Sequence, residues 1–173
     1  MHFSLDQSIK ILERTPSVLN SLLYHADSAL VMANEGTDTW STYDIIGHLI
    51  HGEQTDWMIR IKIILSEVAD KKFEVFDRFA QFNNSNGKTL QQLLNEFTAL
   101  RAKNIAELIS INQKDEDLIK TGIHPEFGVV SLSQLIATWV VHDFNHIAQI
   151  CRVMSKQYKE EVGPWSAYLG ILK

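Results

Sequence analysis

The sequence predicts an all-α chain folded as a four-helix bundle, with a broken first helix and a short C-terminal helix. Three observations carry that expectation. Apolar residues recur at helical spacing in long runs. Ser or Thr, followed three positions later by Asp or Gln, heads three of those runs. No run alternates cleanly between turn-forming ends, so no strand is expected.

The elements follow in order. Leu5, Ile9 and Leu12 keep helical spacing up to Thr15, and Pro16 reads as the first residue of a new helix. Val18, Leu19, Leu22, Leu23 and Ala26 continue the pattern to about Met32, which puts His25 on this helix. Asn34-Glu35-Gly36 breaks it. The second long helix starts at Ser41, with Asp44 completing a capping box, and runs to about Val68. Its apolar positions include Ile45, Ile46, Leu49, Ile50, Trp57, Ile61, Ile64 and Leu65, and Asp56 and Arg60 are spaced for an ion pair. Residues 70–88 read as irregular, pinned to the core by Phe73, Phe76, Phe79 and Phe82. The third helix opens with Thr89 and Gln92 and carries Leu90, Leu93, Leu94, Phe97, Leu100, Ile105, Leu108 and Ile109. Residues 121–130, with Gly122, Pro125 and Gly128, read as a loop. The fourth helix runs from near Ser131 to about Tyr158, and a short helix or turn from Pro164 to Leu172 follows.

A length of 173 residues fits one domain, 1–173, with a core that needs neither disulfides nor a structural metal. The net charge of −5, with no basic cluster interleaved with aromatics, argues against nucleic acid as a partner. Cys151 is the only cysteine, so no disulfide forms within the chain; a reducing cytoplasm is the expected compartment. In its helical, apolar surroundings Cys151 reads as a small core residue. The segment MHFSLDQSIKILERT lacks the basic head and apolar run of a secretory signal. No stretch approaches the roughly 18 apolar residues of a membrane span.

There are seven histidines. His2 is terminal and uninformative. His142 and His146, in HDFNH, lie four apart on a helix and therefore on one face. They interrupt the stripe Leu135, Trp139, His142, His146, Ile150, Val153 that should face the core. An unpaired buried polar group costs about 1–3 kcal/mol. Either a metal takes one nitrogen of each ring, or both rings bond to other helices. His48, in the second helix, can complete a three-histidine set, which leaves a coordination position open. Gly47 and Gly52 bracket it and are expected to serve close packing or access. His51, one turn on, is a candidate general base, a supporting partner or a surface residue. Asp143 either orients His142 or is an exposed helix carboxylate. Arg78, His124 and Glu126 are candidate substrate-binding residues on loops, or turn structure only. Nickel or zinc would suit imidazole ligands.

GHLIHGEQTDW in the second helix, together with WVVHDFNHIAQI in the fourth, resembles the DinB-like (DinB/YfiT) superfamily. LERTPSVLNSLL, FDRFAQ, TGIHPEFGVVSL and QYKEEVGPWSAYLGIL extend the resemblance over essentially the whole chain. The resemblance implies a four-helix bundle of the DinB/YfiT type and a metal-binding triad at His48, His142 and His146. It implies a metal-dependent enzyme acting on a small molecule, either a hydrolase or a transferase that uses a low-molecular-weight thiol such as bacillithiol or mycothiol. It also implies a homodimer. The alternative is a non-catalytic bundle that binds or senses a metal or ligand.

Overall fold

The computed structural model describes residues 3–173, so His2 lies outside it. Helices α1 (Leu5–Leu12) and α2 (Thr15–Leu23) are separated by two residues. A single turn, α3 (Ser28–Met32), follows, capped by Asp27. Helix α4 (Thr42–Thr55) is followed by α5 (Trp57–Leu65), the one-turn α6 (Gln81–Asn84) and α7 (Leu90–Ile111). Strands β1 (Thr121–His124) and β2 (Gly128–Ser131) lead into α8 (Leu132–Lys156). Short 3-10 turns, Gly163–Tyr168 and Gly170–Leu172, close the chain. The bundle is thus α1–α2, α4–α5, α7 and α8, the expected all-α architecture with a broken first helix. No described helix is long and apolar enough to cross a membrane.

The caps explain where the long helices begin. Ser41, Thr89 and Ser131 each accept from a backbone N–H three residues on, while Asp44, Gln92 and Gln134 reach back to the cap's own N–H. One apolar cluster gathers Leu12, Ile61, Ile64, Leu108, Leu132, Ile136 and Trp139; a second gathers Leu19, Ile45, Leu49, Leu93, Phe97, Ile150 and Val153.

Four departures from the sequence expectation bear on the site. The first helix stops at Leu23: His25 has φ +53, a left-handed turn that apolar periodicity does not reveal. The second helix is not continuous to Val68 but breaks at Asp56 (φ −118, ψ −76). Asp56 still pairs with Arg60, as its spacing predicts. The expected loop at 121–130 is an antiparallel hairpin, with Gly122 opposite Val130 and His124 opposite Gly128. Its strands are four residues each, too short for alternation to show, and its tip turns through Gly128 at φ +71. Finally, only Phe73 and Phe76 of the four phenylalanines turn inward; Phe79 and Phe82 are 64% and 48% exposed and stack on each other.

Gly47 and Gly52 have distinct packing roles. A Cβ on Gly47 would run into Ser85 and Gln81, so this glycine lets α6 lie against α4. A Cβ on Gly52 would stand 3.2 Å from the indole nitrogen of Trp57, so it leaves room for that ring.

Candidate metal centre

His48 comes from α4, and His142 and His146 from adjacent turns of α8. The spacing of four places the last two rings one above the other, and the packing of α4 on α8 brings the third to meet them. Nε2 of His142 lies 3.2 Å from Nε2 of His48 and 3.1 Å from Nε2 of His146. One ligand atom from each ring lies within 4.8 Å of the others. Nitrogens about 2.0–2.1 Å from a single ion stand roughly 2.8–3.4 Å apart at right-angled to tetrahedral geometry. Both separations measured from His142 fall in that range.

Proton counting shows why these rings suit a cation. Gln149 Oε1 accepts from Nδ1 of His146 at 2.8 Å, which leaves Nε2 of that ring as a bare lone pair. Nε2 of His142 can donate one hydrogen, to His146 or toward His48, but not to both. At least one of the two close contacts is therefore not a hydrogen bond among neutral rings. Protonation is no remedy: burial first, then the neighbouring imidazoles, push His48 down to about 3 and His142 to about 2. Burial lowers His146 as well, against the Gln149 hydrogen bond. At neutral pH three uncharged imidazole nitrogens converge. Nδ1 of His48 and Nδ1 of His142 are buried with no protein partner.

Aromatic rings wall the triad. Trp40 lies 4.8 Å from the His48 ring and stacks at 14° to His146; Phe76 meets His48 edge-on at 5.5 Å; Trp57 meets His142 edge-on at 5.1 Å. The loop bearing Trp40 is tied to α8 by Glu35, whose carboxylate accepts two hydrogen bonds from Arg152, both at 2.8 Å.

A cavity of about 430 Å³ opens beside the triad. All three histidines line it, and so do Arg78, His124 and Glu126. His51 does not: it lines a separate cleft with Gln54, Ser85 and Glu96, and its Nε2 faces Thr55 Oγ1 at 3.4 Å. His51 thus lies off this cavity, although its ring centre is 4.9 Å from that of Phe76. Asp56 does line the cavity, because the helix break turns it there beside Gly52 and Trp57. Burial raises its carboxyl to about 6, against the opposing charge of Arg60.

Behind the triad lies a buried polar network that the sequence reading missed. All five N–H groups of Arg101, on α7, are used: Glu53 Oε1 takes two, Asp143 two and the Leu12 carbonyl one, at 2.6–3.1 Å. Trp139 and Asn104 also donate to Glu53, and Thr15 to Asp143. Asp143 is fully buried, which overturns the reading of an exposed carboxylate; it faces Arg101, not the His142 ring. A legible sign was present: Arg101 and Asn104 stand between Phe97 and Leu108 on the apolar stripe of α7. Cys151 is half-buried on α8 and unpaired.

A comparison with solved structures finds YfiT from Bacillus subtilis, described as a probable metal-dependent hydrolase with an unusual four-helix bundle topology. It is 18% identical, with a TM-score of 0.69 over 91% of this chain and 87% of that one. Another match, TT2238, is described as a four-helix bundle protein; it is 19% identical, with a TM-score of 0.49 over 83% of this chain and 95% of that one. No curated protein matches significantly. The family model of the DinB superfamily matches residues 11–150, from the end of α1 through both halves of the triad, and the chain belongs to that superfamily.

Proposed function

We propose that this protein holds one divalent transition metal on Nε2 of His48, His142 and His146 and uses it to hydrolyse a small molecule bound in the adjoining cavity. The observation that carries the reading is the convergence of three neutral imidazole nitrogens whose contacts cannot all be hydrogen bonds. The fold likeness to YfiT, itself described as a probable metal-dependent hydrolase, supports the choice of reaction class. Nickel and zinc both suit imidazole donors. When bound with a position open to the cavity, such an ion polarises a substrate oxygen and lowers the pKa of water.

The chain's own residues supply the rest. Gln149 fixes the His146 tautomer, so its Nε2 lone pair points at the shared site. Trp40, Trp57 and Phe76 shield the rings from bulk water. To Asp56, which lines this cavity in an ion pair with Arg60 and whose carboxyl burial raises to about 6, we assign the acceptance and return of a proton.

The test is turnover. Zinc- and nickel-loaded protein is assayed on a panel of small esters, amides and phosphoesters, with and without a low-molecular-weight thiol acceptor. Chelator-sensitive hydrolysis, lost in His142→Ala/His146→Ala, supports the reading. Turnover only with the thiol would make the protein a transferase. Metal binding without turnover on any substrate would favour a sensor or ligand-binding bundle.

A further inference from the structure

We infer that the cavity beside the triad is built for a small amphipathic anion, with its apolar body against the aromatic wall and its anionic group on Arg78 and His124. The inference rests on the reading of this cavity as the substrate site, though not on the metal. The cavity carries two cationic side chains, Arg60 and Arg78. Arg60 is already committed: its Nε pairs with Asp56, Nη2 reaches the Glu74 carbonyl, and the guanidinium lies 5.2 Å from the centre of the Phe73 ring. Arg78 makes no hydrogen bond or ion pair among the described residues. It lines the cavity together with the three histidines.

His124 supplies a second donor, and the hairpin fixes which nitrogen it is. In His124-Pro125-Glu126-Phe127 the backbone N–H groups of Glu126 and Phe127 both point at Nδ1 of His124, at 3.1 and 3.3 Å. Nδ1 is thus an acceptor, and the neutral ring carries its hydrogen on Nε2. Phe127 stacks on the ring at 17° and Phe73 meets it edge-on, which holds its orientation. Nε2–H has no partner among the described residues, on a ring that lines the cavity. A guanidinium and an imidazole N–H are both donors without acceptor capacity at neutral pH, so the group they fit is an oxyanion. Glu126 also lines the cavity, but the opposing charge of Arg60 acts on His124 more strongly than the Glu126 carboxylate does.

The probes are phenylacetate and its neutral isostere phenylacetamide. They are titrated against chelator-treated and zinc-loaded full-length protein, and read by quenching of Trp40 and Trp57 together with calorimetry. Metal content is measured on every sample. The expected result is an approximately tenfold preference for phenylacetate in both forms, reduced at least severalfold in Arg78→Gln and weakened by salt. His124→Gln, which keeps an N–H donor, retains more of the preference than His124→Phe does. Equal affinity for the two probes, or no binding of either at millimolar concentration, overturns the inference. A preference seen only with zinc and unchanged in Arg78→Gln also overturns it, since the carboxylate then goes to the metal. If the protein takes up no zinc yet shows an Arg78-dependent preference, the anion site stands and the metal reading fails.

Discussion

Two buried polar clusters lie side by side where α4 meets α8, and they are finished differently. In the Glu53–Arg101–Asp143 network every N–H of the guanidinium has a protein acceptor, and both carboxylates are held by several donors. In the triad, three imidazole nitrogens converge in contacts that cannot all be hydrogen bonds, and two Nδ1 atoms have no partner. A buried polar group unmatched by protein costs about 1–3 kcal/mol. A saturated cluster therefore reads as architecture, and a convergent unsaturated one as a place that awaits a ligand. The two are linked, because Glu53 shares α4 with His48 and Asp143 adjoins His142. The network fixes how α4 and α8 are rotated and so where the imidazoles point.

The largest effect should come from breaking the saturated side. Arg101→Met leaves Glu53 and Asp143 buried without their cation, and chemical denaturation should show a loss of about 3–5 kcal/mol. A loss under about 1 kcal/mol would mean that the network contributes little to holding the helices. On the unsaturated side the order reverses. His142→Ala/His146→Ala should leave the metal-free protein nearly as stable as wild type, while zinc stabilises wild type alone. Free zinc at a hundred times its Kd stabilises by about 2.7 kcal/mol, read as a rise in Tm. An equal rise in the double variant would place the zinc elsewhere.

Smaller effects sharpen the contrast. Gly47→Ala pushes a methyl group against Ser85 and Gln81, so α6 must shift. Denaturation should show a loss of about 1–3 kcal/mol, with zinc uptake retained because Gly47 faces α6 whereas the neighbouring His48 faces α8. The pH response separates the clusters again. Unfolded histidine titrates near about 6.5, whereas the folded chain holds His48 near about 3 and His142 near about 2. Below pH about 6.5 the unfolded chain therefore binds more protons, and metal-free stability falls by up to about 1.4 kcal/mol per pH unit for each such histidine. Asp56, raised by burial to about 6, and Glu53, also raised by burial, take protons in the folded state and oppose this fall. Comparison of wild type with His142→Phe cancels the carboxyls: the variant should lose less stability between pH 6.5 and 5.5. Equal slopes would show that His142 is not held neutral.

The bundle was legible because capping boxes and apolar periodicity are local: Ser41, Thr89 and Ser131 mark helix starts without reference to anything distant. The triad was legible because three histidines stand on faces that periodicity aims inward. The break at Asp56 was hidden because Trp57, Ile61 and Ile64 continue an apolar pattern across it. The roles of Asp143 and Glu53 were hidden because a carboxylate on a helix reads as exposed until the long-range partner, Arg101, is in place. His51 is close to His48 in sequence, but the helix turns it into another cleft, a separation that spacing alone does not show.

The central claim is that the triad is a metal site, and metal content measured by elemental mass spectrometry on tag-free protein tests it most directly. Wild-type protein should hold close to one equivalent of a transition metal, and His142→Ala/His146→Ala should lose most of it. Wild-type protein that remains metal-free after incubation with zinc, nickel and manganese would contradict it.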